Sequence, residues 1–166
     1  MATQWDTVAL ALTDLMRATA GYRAPESTLT GVPVYFGPEY GIDNTRLISF
    51  LSVGWSGDPD NPESSGSITQ TAGPMAPTRP RDETGTILCR AVYADGNAND
   101  AAMRAGLAAC RQIVADVETV TRADPTLGLA QPTMKWAFVT DGAPTLEFAG
   151  GVHVFIDFTV TYEARL

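Results

Sequence analysis

The C-terminal stretch of the chain carries the pattern that most constrains its fold. Apolar side chains occupy alternate positions there, at Val152, Val154, Ile156, Phe158, Val160, Tyr162 and Ala164. The positions between them are polar except for Phe155. A period of two predicts a half-buried β-strand, at roughly 3.3 Å per residue about 43 Å long. A compact domain of this size is about 40 Å across. The strand should therefore span or overhang the domain, and its end can reach a neighbouring subunit.

Two segments show the spacing of amphipathic helices. Apolar residues recur at helical intervals over residues 3–20, and Gly21 supplies a stop. The same period runs through residues 99–122, where Asn99 is a suitable N-cap. The residue before a proline avoids the helical conformation, so Asp124, which precedes Pro125, ends this helix. Helices combined with alternating strands predict an α+β fold.

Four more apolar segments predict strands. Residues 31–37 contain a proline between glycines, which favours an edge strand or an extended segment. Residues 47–55 are apolar on both faces and predict a central strand, whose partner is the segment 84–93. Residues 134–140 predict a further strand that ends at a turn beginning with Asp141-Gly142. We expect a twisted, mostly antiparallel sheet of about four to five strands with both helices packed on it.

The segment 56–83 has a different composition. Glycine and proline are scattered through it among serine, threonine and acidic residues, which predicts a long irregular loop with no helix or strand. Neither flanking piece has enough elements for a core of its own, so the loop is not a domain boundary. It is interpreted as the oversized tip of a hairpin within a single domain, residues 1–166. Irregular segments of this length are usually functional or disordered.

Charge and hydropathy argue against several classes of protein. The formal net charge is −8, and Lys135 is the single lysine. Such a chain lacks the cationic surface that binds nucleic acid tightly. No apolar run reaches the roughly 18 residues of a membrane span, and the N-terminus lacks the basic and apolar regions of a signal peptide. We expect no membrane association and assembly in a cytoplasm.

Residues that could carry catalysis are scarce. The only histidine, His153, lies on the wetter face of the closing strand, where a structural role is the simpler interpretation. No nucleophile elbow occurs, and the phosphate-binding loop motif fails because Trp136 follows Lys135. Cys89 and Cys110 are expected to be buried, reduced thiols. The sequence predicts neither an enzyme nor a cofactor.

Two acidic patterns imitate metal sites. Asp95, Asn97 and Asn99 match the first ligands of a calcium loop, yet Asp100 replaces the required glycine and Gly106 the required glutamate. A turn followed by a helix cap explains these residues better. Three loop acids are interpreted as solvated side chains: Asp58, Asp60 and Glu63. We predict no metal.

Several strings, in their order and spacing, resemble a known family. They are VYFGPEY leading to LSVGW at 34–55, ILCRAVYADG at 87–96, TRADPTLG at 121–128 and GGVHVFIDFTVTYEARL at 150–166. Over nearly its whole length the chain resembles the tail-terminator proteins of long, non-contractile-tailed bacteriophages, also called minor tail or tail-completion proteins. The resemblance implies a structural protein of the virion, located at the tail or neck.

The resemblance also implies partners. Tail terminators form a homohexameric ring on the last ring of the tail tube, stop polymerisation of the tail tube protein and offer a surface to the head-completion or stopper protein. DNA passes through the lumen without specific binding.

The candidate assembly interface comprises two groups of residues, one in the 56–83 loop and one on the wetter face of the closing strand: Arg79, Arg81, Asp82 and Glu83, with Asp157, Thr161 and Arg165.

Two alternatives stay open at this point. Another neck component, such as a head-tail stopper or adaptor, would share the acidic, ring-forming character. A small-molecule-binding or enzymatic α+β domain would place its site in the loop between Trp55 and Glu83. The scarcity of catalytic residue types argues against the second alternative.

Overall fold

The computed structural model describes residues 4–38, 48–55, 65–71, 81–130, 134–147 and 151–165. Two helices and seven strands occur in these ranges, which confirms the predicted α+β class. In chain order the elements are α1 (Trp5–Ala18), β1 (Tyr22–Arg23), β2 (Val32–Phe36), β3 (Ile48–Val53), β4 (Gly66–Thr71), β5 (Asp82–Asp95), α2 (Asp100–Ala123), β6 (Met134–Glu147) and β7 (Val152–Arg165).

The strands form one mixed sheet in the order β1-β2-β3-β5-β7-β6. The remaining strand, β4, also pairs with β5, along a different part of β5 from β3. β1, β2 and β3 run parallel to one another, and the remaining pairs are antiparallel. The expectation of four to five strands was too low. It missed β4 and the two-residue β1. Residues 31–37 were expected to form an edge strand or an extended segment, but β2 pairs with β1 on one side and with β3 on the other, so it is an interior strand. The prediction that β3 is central and pairs with β5 is confirmed.

Three strands of 14 residues dominate the sheet: β5, β6 and β7. β5 and β7 pair along their whole lengths, from Asp82 opposite Arg165 to Asp95 opposite Val152. Burial in β7 alternates strictly from Val152 to Ala164, which confirms the predicted pattern. Tyr162 and Phe158 are the largest fully buried side chains of the described residues. A fully buried side chain of this kind contributes roughly 1.5–3 kcal/mol, so β7 anchors much of the core.

Both helices cover the same face of the sheet, and their buried stripes join it in one core. Asn99 caps α2 as predicted, since its side chain accepts a hydrogen bond from the backbone N–H of Ala102 at 2.8 Å. Gly106 lets α2 approach the sheet closely: a Cβ there would lie 2.7 Å from the ring of Tyr93. The predicted end of α2 before Pro125 is also confirmed.

The prediction that residues 56–83 contain no regular element was wrong. Gly66–Thr71 form β4, which pairs with the first half of β5, and Asp82 and Glu83 already belong to β5. β3 and β4 lie end to end along one side of β5. The backbone N–H of Gly54 donates to the Leu88 carbonyl at 2.7 Å, and the Leu88 N–H donates to the Ser65 carbonyl at 3.1 Å. Residues 56–64 and 72–80, including Asp58, Asp60 and Glu63, lie outside the described residues.

The predicted turn at Asp141-Gly142 was wrong as well. β6 continues to Glu147, and the pairing with β7 shifts by one residue between Val139 and Asp141. A β-bulge absorbs an extra residue without ending the strand, so turn-forming residues occur there inside a long strand.

Within the described part of the chain, no helix is long and apolar enough to cross a membrane. Cys89 and Cys110 are buried free thiols, as predicted.

Candidate assembly surface

The sheet face turned away from the helices carries most of the predicted interface residues. We call this face of β5, β6 and β7 the outer face. Because side chains alternate along a strand, Asp82 and Arg90 of β5 share it with Asp157 and Glu163 of β7. No described helix packs on this face. Its side chains form two charged clusters separated by a band of hydroxyl groups.

The first cluster lies near the middle of the paired strands β5 and β7. Arg90 and Asp157 occupy opposite positions on β5 and β7 and form a bidentate ion pair, with Nε 2.6 Å from Oδ1 and Nη2 2.8 Å from Oδ2. The guanidinium also stacks over the ring of Phe155, 4.4 Å from its centroid. Phe155, the one apolar residue that breaks the alternation of β7, therefore supports this pair.

The second cluster lies where β5 begins and β7 ends. The Nζ of Lys135 is 3.1 Å from Oδ1 of Asp82, and the Nε of Arg165 is 3.3 Å from the same oxygen. Lys135 also forms an ion pair with Glu163, whose second oxygen accepts a hydrogen bond from Trp136 Nε1 at 3.0 Å. The hydrogen bonds from Lys135 and then Arg165 lower the pKa of Asp82. The hydrogen bonds to Glu163 and then Asp82 raise the pKa of Lys135. Both groups therefore stay charged near neutral pH.

Hydroxyl groups occupy the strip between the clusters. The Oγ1 atoms of Thr161 and Thr140 lie 3.0 Å apart, and Thr86 stands opposite Thr161 on β5. Thr86 Oγ1 also lies 2.9 Å from Ser67 Oγ of β4. Cross-strand hydroxyl pairs of this kind stabilise a sheet without adding charge.

Glu83 differs from the other predicted interface residues because its side chain is fully buried on the helix side of the sheet. Its Oε1 accepts hydrogen bonds from Tyr162 Oη at 2.7 Å and from the backbone N–H of Gln4 at 3.0 Å. Its Oε2 accepts one from Gln70 Nε2 at 2.9 Å. The interface hypothesis therefore does not extend to this side chain, which joins α1, β4 and β7.

Tyr162, which donates a hydrogen bond to Glu83, packs against a glycine of β5. A Cβ at Gly85 would lie 2.4 Å from the hydroxyl oxygen of Tyr162, so only glycine leaves room for this ring. Burial and then the hydrogen bond to Glu83 raise the pKa of Tyr162 well above its usual range. The phenol therefore remains a proton donor to the carboxylate.

The structure gathers only part of the predicted interface. Asp82 and Arg165 contact each other, and Asp157 and Thr161 share their face. Arg81 is exposed and immediately precedes β5, and Arg79 lies outside the described residues.

Sequence reasoning missed four residues that complete the charged clusters: Arg90, Lys135, Trp136 and Glu163. The sequence contained a signal for Arg90, because alternation along the predicted strand 84–93 places its side chain on the other face of the sheet from the buried Cys89 and Ala91.

An open groove of about 510 Å³ lies between α2 and β6. Its apolar lining includes Val114, Val139 and Ile156, with Arg111 and Glu118 at the helix side. Among the described residues, no group of histidine, cysteine and acidic side chains could hold a metal ion. Asp95 and Asn99 serve a turn and a helix cap, in agreement with the interpretation of that motif.

Comparison of the chain with protein-family models and with curated proteins found no match.

Proposed function

We propose that this chain is a structural virion protein, a tail terminator that forms a hexameric ring on the head-proximal end of the tail tube. The ring stops polymerisation of the tube and presents the surface that joins the tail to the head. DNA passes through its lumen. The proposal combines the resemblance of the sequence strings with one observation on the outer face.

That observation is the pairing of positive charges. Each described lysine or arginine on the outer face contacts a carboxylate: Arg90 contacts Asp157, and Lys135 and Arg165 contact Asp82. A protein binds DNA mainly by placing free cations against phosphates and releasing counterions. A sheet face whose cations are already paired offers little of this attraction. Such a face suits a lumen through which DNA must slide.

The tube-capping function can be tested with tail tubes and DNA-filled heads of the virus that encodes the chain. The purified protein is mixed with each, and negative-stain images are scored for rings at tube ends and for tube elongation after more tube protein is added. We expect rings at one end of each tube and arrested elongation. Binding to heads but not to tubes would identify a stopper or adaptor instead. Binding to neither would contradict the proposal.

A further inference from the structure

Four strands lie side by side at one end of the sheet. We call this part of the sheet the four-stranded section. In it, β4, β5, β7 and β6 are paired in continuous cross-strand rows. One row on the outer face joins Ser67, Thr86, Thr161 and Phe138, and the next row, on the helix side, joins Ile68, Gly85, Tyr162 and Ala137. Within the described residues, β4 pairs with β5 alone and β6 with β7 alone. The section therefore has two outer edges, on opposite sides of the sheet.

Within β4 and within the stretch 136–139 of β6, the features that protect an exposed strand are absent, since the two register shifts of β6 lie on either side of that stretch. Natural sheets block edge-to-edge association with charges, prolines or bulges. β4 contains no charged residue and no proline. The stretch 136–139 of β6 also lacks both, and it lies between the two register shifts of that strand. Each edge exposes a large apolar side chain, Ile68 at 43% and Phe138 at 45%.

The geometry points to a second copy of this chain as the occupant of each edge. We infer that the β4 edge of one subunit pairs with the 136–139 edge of the next. Successive strands of the section are antiparallel, so β4 and β6 run in opposite directions. A neighbouring copy in the same orientation would therefore place its β4 antiparallel to β6, and the alternation of directions would continue between subunits.

The side chains of the two edges also match face by face. On the helix side, Ile68 of one copy would meet the apolar Ala137 and Val139 of the next. On the outer face, the threonines of β4 would meet the aromatic pair Trp136 and Phe138, whose ring centroids are 4.8 Å apart. Aromatic and β-branched residues are favourable cross-strand neighbours. The contact joins two different surfaces, so repetition closes a ring if the rotation per subunit permits it. Only the closure at six subunits rests on the proposed function.

Engineered disulfides test this pairing. Three double variants place one cysteine on each edge, all on the outer face: Ser67→Cys, Thr69→Cys or Thr71→Cys, each with Phe138→Cys. The native thiols Cys89 and Cys110 are buried and should not interfere. After mild oxidation, at least one variant should give a ladder of covalent oligomers on non-reducing gels that disappears with reductant. The variants with the wrong register should not, because a disulfide needs Cα atoms within about 7 Å.

The matched control is Ile68→Cys with Phe138→Cys. These residues point to opposite faces, so no register of a continuous sheet brings them together. A ladder from this control equal to those of the outer-face variants would overturn the inference. Absence of cross-linking in all three outer-face variants would also overturn it.

A second variant pair tests the edge without new thiols. Phe138→Lys places a charge on the edge and should weaken self-association at least tenfold, measured by sedimentation with folding checked by circular dichroism. Leu29→Lys, at a side chain that is 72% exposed and belongs to neither edge, should leave association unchanged. Equal association of the two variants would contradict edge pairing. If tubes are capped without cross-linking, the edge inference fails and the proposed function stands. If cross-linked rings fail to cap tubes, the reverse holds.

Discussion

At the scale of single residues, the buried carboxylate of Glu83 is the most consequential polar group in the fold. It accepts hydrogen bonds from the start of α1, from β4 and from β7. An ionised group out of contact with water is tolerated only when several donors surround it. Glu83 therefore ties β4, which supplies one of the proposed subunit contacts, to the core of its own subunit.

Replacement of this carboxylate should weaken the fold. Glu83→Gln exchanges one acceptor oxygen for a donor group that faces other donors, and we expect the free energy of unfolding in urea to fall by about 2 kcal/mol. Glu147→Gln, at an exposed position of β6, should change it by less than about 0.5 kcal/mol. Because Tyr162 shares a hydrogen bond with Glu83, the loss in Tyr162→Phe should be less than additive with it. Full additivity, or no loss in Glu83→Gln, would refute this account.

Raised pKa values make the fold sensitive to alkali. Burial raises the pKa of Cys89 to about 12, from an ordinary value of 9.0. Burial likewise raises the pKa of Cys110 to about 12. The native state then holds these protons more tightly than the unfolded state does. The stabilisation is complete below about pH 9 and is lost as pH rises toward about 12.

Urea unfolding at pH 7.5, 9 and 10.5 measures this effect, and the free energy of unfolding should fall across the series. At pH 8 a thiol reagent should label neither cysteine in the folded protein and both after unfolding. Stability that increases toward pH 10.5, or rapid labelling of the native protein, would show that these thiols are not buried as described.

At the scale of elements, local periodicity decided what could be predicted. β7 has a pattern with the single exception of Phe155, α2 has a regular helical period, and both were predicted nearly to the residue. β6 contains a bulge, which looks like a turn when only neighbouring residues are considered. β4 was not recognised among the loop residues, although three of its residues, Ile68, Thr69 and Thr71, are β-branched and favour a strand. Its pairing with β5 is a non-local contact that composition does not reveal.

The cap of α2 gives a prediction at this scale. Asn99→Ala removes the acceptor for the Ala102 N–H and should lower the free energy of unfolding by about 1 kcal/mol. Asn99→Asp keeps an acceptor at the same place and should match the unmodified protein within a few tenths of that value. Thermal or urea unfolding of the two variants measures the difference. If Asn99→Asp loses as much as Asn99→Ala, the side chain does not act as a cap.

At the scale of the whole molecule, we expect DNA binding to depend more on where the charges lie than on the net charge. The net charge of −8 predicted weak DNA binding, but only the structure shows that each described cation of the outer face contacts a carboxylate. Sequence alone placed Asp157, Thr161 and Arg165 on one face by alternation. It could not identify Arg90 and Lys135 as their neighbours, because strand register sets those contacts.

Release of these paired cations should create DNA affinity. A triple variant, Asp82→Asn, Asp157→Asn and Glu163→Gln, should bind duplex DNA at low salt at least tenfold more tightly than the unmodified protein, with a steep salt dependence. The control neutralises three carboxylates that pair with arginines on the helices: Asp14→Asn, Asp100→Asn and Glu118→Gln. It has the same net charge but spreads its free cations over the helix layer. Equal affinities of the two triple variants would mean that the outer face has no special role.

The central claim is that this chain forms the ring between the tail tube and the head. Cryo-electron microscopy of the neck of intact virions tests it most directly. We predict six copies of the fold in one ring on the last ring of the tail tube, with DNA or an open lumen at the centre. Location of the chain in a head-side layer, or its absence from the virion, would contradict the claim.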